Sequence, residues 1–185
     1  MQLGALRLGE PPSITEVATF GVPTSGVLTA PIGLAGAGMG FRSEDVARVV
    51  VNGIDLLATD WTWRSPSRID IARVPPGVGT GTVTFETAAG LVSAPAQFFY
   101  DSAQVVEIRP PYLLAGSKNA TVTVCGEALA PDASFVTSMS IGGVSCSTGG
   151  GAISIDSFAL FRTSAGDRRC IACEGFMAPM VWPEP

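Results

Sequence analysis

The sequence contains no histidine, and only one of its 185 residues, Lys118, is a lysine. Without an imidazole, Ser-His-Asp and Cys-His catalysis, histidine-ligated metals and imidazole acid–base chemistry are excluded. A Gly-x-Ser-x-Gly nucleophile motif and a phosphate-binding loop are absent as well. We therefore expect a protein that is not an enzyme and that has no catalytic residues.

Basic residues and long apolar runs are also scarce. The chain has 11 Lys and Arg against 16 Asp and Glu, which gives a net charge of −5. Nucleic-acid binding requires clustered Lys and Arg that neutralise phosphates, and the sequence has no such cluster. No apolar run approaches the roughly 18 residues of a membrane-spanning helix. We expect no nucleic-acid partner and no direct membrane insertion.

Recognisable metal and cofactor motifs are missing too. Asp55, Asp60 and Asp70 do not follow the Asp-x-Asp-x-Asp-Gly spacing of a calcium loop, and we expect them in solvated turns. The spacing of the glycines within residues 33–41 is superficially similar to that of a nucleotide-binding loop, but no helical pattern follows them. We expect no cofactor and no metal.

What the chain does contain is typical of short strands joined by turns. It has 22 Gly and 14 Pro, and 46% of its residues are hydrophobic. Segments with β-branched, aromatic or alternating patterns predict strands. These segments are residues 46–51, 68–74, 80–87, 96–100, 121–125, 138–144 and 152–161. The first of them ends in a predicted turn at Asn52-Gly53. Alternation places Ile69 with Ile71 on one face of their strand, and Val83 with Phe85 on one face of theirs. Such spacing predicts an all-β fold.

The two halves of the chain repeat each other at an offset of about 90 residues. The matching anchors are 14–17 with 105–108, Gly36 with Gly126, and 51–54 with 141–144. A length of 185 residues suits two small sandwiches better than one. The boundary is predicted near Asp101 and Ser102.

The repeated residues resemble a known family. "PPSITEV", "IGLAGAGMGF" and "RIDIARVPPGVGTGTVTFETAAGLVSAPAQFFY" are similar to IPT/TIG domains, and "VVEIRP", "TVTVCG", "SIGGVSC" and "CIAC" occupy the matching places of the second copy. The resemblance covers about residues 11 to 175. It implies two tandem immunoglobulin-like antiparallel β-sandwiches: a tail at 1–10, domain 1 at 11–101 and domain 2 at 102–185.

The second copy departs from the first. It has a Gly-rich insertion at 147–151 and fewer residues after Cys173 than the first copy uses for its last strands. We expect domain 2 to be truncated, with one or both closing strands supplied from elsewhere. Phe176, Met177 and Trp182 are candidate apolar contacts at that edge.

All four cysteines lie in the second copy, at Cys125, Cys146, Cys170 and Cys173. Their even number in a module of secreted character favours two disulfides. Free core thiols, a zinc site or a redox Cys-x-x-Cys remain alternatives. The resemblance to plexin-like IPT domains implies Cys146 with Cys173, which leaves Cys125 with Cys170.

Two further features are candidates for surface chemistry. Asn119-Ala120-Thr121 is a glycosylation sequon, although it is also compatible with an ordinary polar turn. Trp61 and Trp63 alternate, and with Arg64 and Arg68 they could stack on a sugar or a partner. We favour the interpretation that at least one tryptophan fills the core.

The resemblance implies a non-catalytic structural or adhesive module of a larger extracellular or cell-surface protein. Its partners are then neighbouring immunoglobulin-like domains or other chains. The alternative is an accessory carbohydrate-binding or spacer domain of a carbohydrate-active enzyme, with Trp61 and Trp63 as the platform. A Rel-type transcription factor uses the same fold, but the acidic charge argues against it.

Overall fold

The structure is a computed structural model that describes residues 11–131, 133–141, 144–146, 152–156, 162–163 and 166–176. Within these residues the chain consists of β-strands and turns, with two single 3-10 turns, η1 (Ser43–Asp45) and η2 (Ala133–Phe135). The predicted all-β class is confirmed. No described helix is long and apolar enough to cross a membrane.

The described residues divide into two compact units. Unit 1 comprises 11–22, Gly26–Pro75 and Thr80–Phe99, and unit 2 comprises Pro23–Ser25, Pro76–Gly79 and the described residues from Tyr100 onward. The assignment of both units to IPT/TIG domains, with boundaries at 11–101 and 102–185, stays a prediction.

Unit 1 contains two four-stranded antiparallel sheets. One has the order β1-β2-β6-β5 and the other the order β4-β3-β7-β8. The strands are β1 (Ser13–Ala18), β2 (Val27–Ala37), β3 (Val46–Val51), β4 (Ile54–Asp55), β5 (Trp61–Ser65), β6 (Arg68–Arg73), β7 (Thr80–Thr87) and β8 (Ala96–Phe99).

The core of unit 1 follows from the alternation in its strands. Ile69 and Ile71 of β6 are fully buried, as are Val83 and Phe85 of β7. Leu34 of β2 lies opposite Ile69 and is buried with it. Because alternate residues of a strand share one face, the inner faces of both sheets supply this core. Each buried side chain of this size contributes about 1.5–3 kcal/mol.

The β3–β4 hairpin turns at Asn52 and Gly53, where the sequence predicts a turn. Both residues have positive φ, 52° and 78°, which is the requirement of a type I′ turn. The Asn52 side chain also accepts a hydrogen bond of 2.8 Å from the backbone N–H of Thr82 on β7. The turn therefore joins the hairpin to the middle of its sheet.

Unit 2 repeats half of this arrangement. Its main sheet has the order β13-β15-β10-β9, with β14 also paired to β15, and β11 and β12 form a separate hairpin. The strands are β9 (Gln104–Arg109), β10 (Ala120–Glu127), β11 (Ser140–Ile141), β12 (Val144–Ser145), β13 (Ala152–Asp156), β14 (Arg162–Thr163) and β15 (Gly166–Phe176). The order matches β5-β6-β2-β1 of unit 1 strand for strand. Residues 147–151 and the predicted strand segment 157–161 lie outside the described residues.

Two glycines mark the same place in both units. A Cβ on Gly36 would lie 1.9 Å from the carbonyl oxygen of Ser13, and a Cβ on Gly126 would lie 2.0 Å from that of Gln104. Each glycine adjoins a shift in register between the first two strands of its unit. The first strand crosses so closely that only glycine fits, which explains why these two positions repeat in the sequence.

Candidate functional site

The inner disulfide of unit 2 joins Cys146 to Cys173, with Cα atoms 6.0 Å apart. Both cysteines are fully buried, and they form a core cluster with Val122. The half-buried side chains packed against this cluster are Leu113, Met139, Ile141 and Val144. Since Cys146 follows β12 and Cys173 lies on β15, the bond fastens the β11–β12 hairpin to the main sheet.

The second disulfide joins Cys125 of β10 to Cys170 of β15, which are directly opposite each other with Cα atoms 4.0 Å apart. The register places it on the opposite face of the sheet from Cys173. These are the two pairs that the family resemblance implies. No cysteine is free, and Cys170 and Cys173 each bond to a different partner, so the Cys-x-x-Cys segment is not a dithiol pair.

The sequon lies on the surface. Asn119 is exposed in the turn before β10 and has a φ of 55°, a left-handed conformation that asparagine tolerates well. Thr121 is exposed as well. The sequon is therefore accessible in the folded chain, and its glycosylation stays a prediction.

Trp61 and Trp63 lie on β5, an edge strand of their sheet. They pair with Ile71 and Ile69, so all four side chains share the face that forms the core. Both tryptophans are half-buried, and the indole N–H of Trp63 donates a 2.9 Å hydrogen bond to the carbonyl of Met39. The tryptophans close one edge of the sandwich, and their contact with any ligand stays a prediction.

The two arginines near these tryptophans contact Asp70 instead. Arg64 and Arg68 donate hydrogen bonds of 2.9 and 2.8 Å to the two carboxylate oxygens of Asp70, on the outer face of the sheet. The structure therefore does not bring Trp61 and Trp63 onto one face with the arginines.

Asp70 corrects the expectation of a solvated turn, because it lies within β6 and is buried under its two partners. Burial acts to raise the pKa of Asp70, but the hydrogen bonds from Arg68 and Arg64 outweigh it, and the pKa lies below its ordinary value. The described residues contain no cluster of three or more ligands suited to a metal.

The predicted contacts at the end of the chain are only partly described. The backbone of Phe176 pairs with Ala120 at the end of β15. Met177 and Trp182 lie outside the described residues. Their role as contact residues stays a prediction.

The most exposed apolar strand in the described structure is one that sequence reasoning did not select. Every residue of β9 is exposed, including Val105, Val106 and Ile108. β9 is the edge strand of its sheet. The sequence did contain a signal for this strand, because residues 105–108 match residues 14–17. In unit 1 residues 14–17 belong to β1, which is partly buried.

Comparison with known proteins places the chain near no named family. No family model and no curated protein matches it. Among solved structures it is similar to SGBP-B from a complex xyloglucan utilization locus in Bacteroides uniformis, with 19% identity over 95% of this chain and 44% of that one and a TM-score of 0.37. It is also similar to the surface glycan-binding protein PbSGBP-B from Prevotella bryantii, with 19% identity over 95% and 38% and a TM-score of 0.45. The chain spans less than half the length of each, and neither similarity assigns it a family or a ligand.

Proposed function

We propose that this chain is a non-catalytic module of a larger extracellular or cell-surface protein, in which two IPT/TIG-type units mediate protein–protein assembly. The observation that carries the proposal is the pair of disulfides in unit 2. Disulfides persist in oxidising compartments and are rare in reduced cytosol. They are concentrated where a small unit has a limited apolar core of its own.

The two sulfur bridges suit a mechanical role. One lies in the core and fastens a hairpin to the main sheet, and the other joins the two central strands of that sheet. Together they connect β10, β15 and the β11–β12 hairpin, which contribute Val122, Cys173, Ile141 and Val144 to the core cluster. A unit held in this way keeps its shape while its edge strands stay available for contact.

The exposed apolar residues of β9 and the half-buried tryptophans of β5 favour assembly with proteins over sugar binding. Exposed Val105, Val106 and Ile108 form an apolar strand at a sheet edge, which is a common protein-binding element. Trp61 and Trp63 are half-buried on the core face, and the N–H of Trp63 is already bonded. Sugar platforms need exposed ring faces, so this pair supports the carbohydrate alternative less well.

Protease treatment of intact cells that produce the full-length protein tests the proposed location. A thiol-alkylating reagent is added before lysis, and the cysteines of the chain are then mapped by mass spectrometry. The proposal predicts that the chain is digested from outside and that none of the four cysteines is alkylated. A chain that survives in intact cells and carries four alkylated cysteines contradicts it.

Glycan binding by the purified chain tests the carbohydrate alternative directly. Titration with soluble polysaccharides is followed by calorimetry on the wild type and on Trp61→Ala, with Arg64→Ala as the control on the opposite sheet face. Assembly through proteins predicts no heat of binding in any of the three. Saturable binding that Trp61→Ala abolishes and Arg64→Ala retains would support the carbohydrate role instead.

A further inference from the structure

The chain makes the same turn after β2 and after β10. Gly38 and Ala128 occupy matching positions of the repeat, and both have positive φ, 74° and 50°. The residues that follow them, Met39 and Leu129, are both buried. Because this backbone conformation is costly for alanine, contacts beyond the turn have to hold Ala128 in it.

The carbonyl of the buried residue after this turn is satisfied in different ways in the two units. In unit 1 the carbonyl of Met39 accepts a 2.9 Å hydrogen bond from the indole N–H of Trp63. In unit 2 the register of the sheet places Ile155 at the position of Trp63. The matching cross-strand sets are Leu34, Ile69 and Trp63 in unit 1 and Val124, Ile171 and Ile155 in unit 2. An isoleucine side chain has no hydrogen-bond donor, so the carbonyl of Leu129 needs a donor from another segment.

Thr24, in the loop between β1 and β2, supplies this hydrogen bond. Its hydroxyl donates to the carbonyl of Leu129 over 2.7 Å, although the two residues are 105 positions apart in the sequence. Thr24 belongs to unit 2, and only 4% of its surface is exposed. A buried carbonyl that loses its donor lowers the stability of the fold, so unit 2 depends on this hydroxyl.

A second loop of the first copy holds Thr24 in place within unit 2. Gly77, between β6 and β7, donates a 2.9 Å backbone hydrogen bond to the carbonyl of Thr24. Tyr100 is buried against Gly77, because a Cβ on Gly77 would lie 2.6 Å from the Tyr100 ring. The N–H of Tyr100 in turn donates to the carbonyl of Gly79 over 2.8 Å. The two loop segments are therefore fixed within unit 2 by specific contacts.

We propose that the loop between β1 and β2 is a conformational link through which the first copy of the repeat controls the stability of unit 2. Thr24 supplies the donor that the second copy does not have at Ile155. A substitution in this loop therefore acts on β10 and β15, although the loop belongs to the first copy by sequence. The inference goes beyond the proposed assembly function and does not rest on it.

Thr24→Val in the full chain tests this link, because valine has nearly the shape of threonine but no hydroxyl. Hydrogen exchange without denaturant is measured in β10 and β15 for unit 2 and in β2 and β6 for unit 1. We expect exchange in β10 and β15 to become about 5- to 30-fold faster, because a buried carbonyl loses its donor. Exchange in β2 and β6 should stay at the wild-type rate, which also shows that the variant is folded.

Two further variants separate the hydrogen bond from other effects. Thr24→Ser keeps the hydroxyl, so most of the protection of β10 and β15 should be retained. Trp63→Phe removes the corresponding donor of unit 1, and it should give the reverse pattern, with faster exchange in β2 and β6 and no change in β10 and β15.

Three results would overturn the inference. The first is wild-type exchange of β10 and β15 in Thr24→Val. The second is faster exchange that is confined to β2 and β6 or equal in both units, since Thr24 would then not act specifically on unit 2. The third is an equal effect of Thr24→Ser and Thr24→Val, which would show that the hydroxyl is not the group that matters. None of these results changes the outcome of the protease or alkylation experiment, so the two proposals fail separately.

Discussion

Removal of the inner disulfide by Cys146→Ala with Cys173→Ala should destabilise unit 2 and leave unit 1 unaffected. The bond closes a loop with a sequence separation of 27. The chain-entropy relation gives about 3.5 kcal/mol for a loop of this size. Both side chains are fully buried, so the loss of two core sulfur atoms adds about 0.5–1.5 kcal/mol for each residue. The expected loss is about 4.5–6.5 kcal/mol.

The outer disulfide provides the matched control. Cys125 and Cys170 have a sequence separation of 45, for which the same relation gives about 4 kcal/mol. Cys170 is only half-buried, so less packing is lost with it. Although its loop is longer, we expect Cys125→Ala with Cys170→Ala to cost no more than the inner pair.

Hydrogen exchange in increasing urea measures both effects separately in each unit. Amides of β10 and β15 should lose protection at lower urea in both double variants, while those of β2 and β6 should keep the wild-type profile. Equal loss in both units would contradict the reasoning. Loop entropy alone predicts that the outer pair costs about 0.5 kcal/mol more than the inner pair, so a higher cost for the outer pair would contradict the packing contribution assigned to Cys146 and Cys173.

Three further predictions concern Gly36 and Gly126, Asp70, and the overall charge. Gly36→Ala and Gly126→Ala should each destabilise only their own unit, by at least about 1–3 kcal/mol, because the added Cβ meets a carbonyl oxygen; urea unfolding measures this. Asp70→Asn should cost about 1–2 kcal/mol at neutral pH, since the carboxylate charge is lost and the amide nitrogen cannot accept the hydrogen bond of one of the two arginines. Because folding lowers the pKa of Asp70, its contribution is complete above the ordinary value of 3.8 and disappears as the pH falls through the lowered value, so wild type and variant should converge in acid. Duplex DNA should give no salt-dependent change in anisotropy with this chain of net charge −5, and such a change would restore the transcription-factor hypothesis.

The fold was accessible from the sequence because its signals are local. Alternation predicted which side chains of β6 and β7 face inward, and Asn52-Gly53 predicted the β3–β4 turn. The structure gives the physical reason for the match of Gly36 to Gly126. A Cβ at either position would meet a carbonyl oxygen of the first strand of its unit. Patterns of this kind are fixed by neighbours in the chain and in the adjacent strand.

The site was less accessible because it depends on which strands become neighbours in the sheet. The sequence suggested that Trp61, Trp63, Arg64 and Arg68 share one surface. In the structure the tryptophans pair with Ile71 and Ile69 on the core face, whereas both arginines bond Asp70 on the outer face. The sequence analysis placed Asp70 in a solvated turn. A buried carboxylate can be recognised only when the positions of its two arginine partners are known. The exposure of β9 depends on a covering strand, which its own residues do not specify.

Peptide mapping under non-reducing conditions, on the chain isolated from the cells that produce it, tests the central claim most directly. The proposal of an extracellular module held by two disulfides predicts linked peptides containing Cys125 with Cys170 and Cys146 with Cys173, and no free thiol. Four free cysteines in freshly isolated protein, or a bond between Cys170 and Cys173, would contradict it.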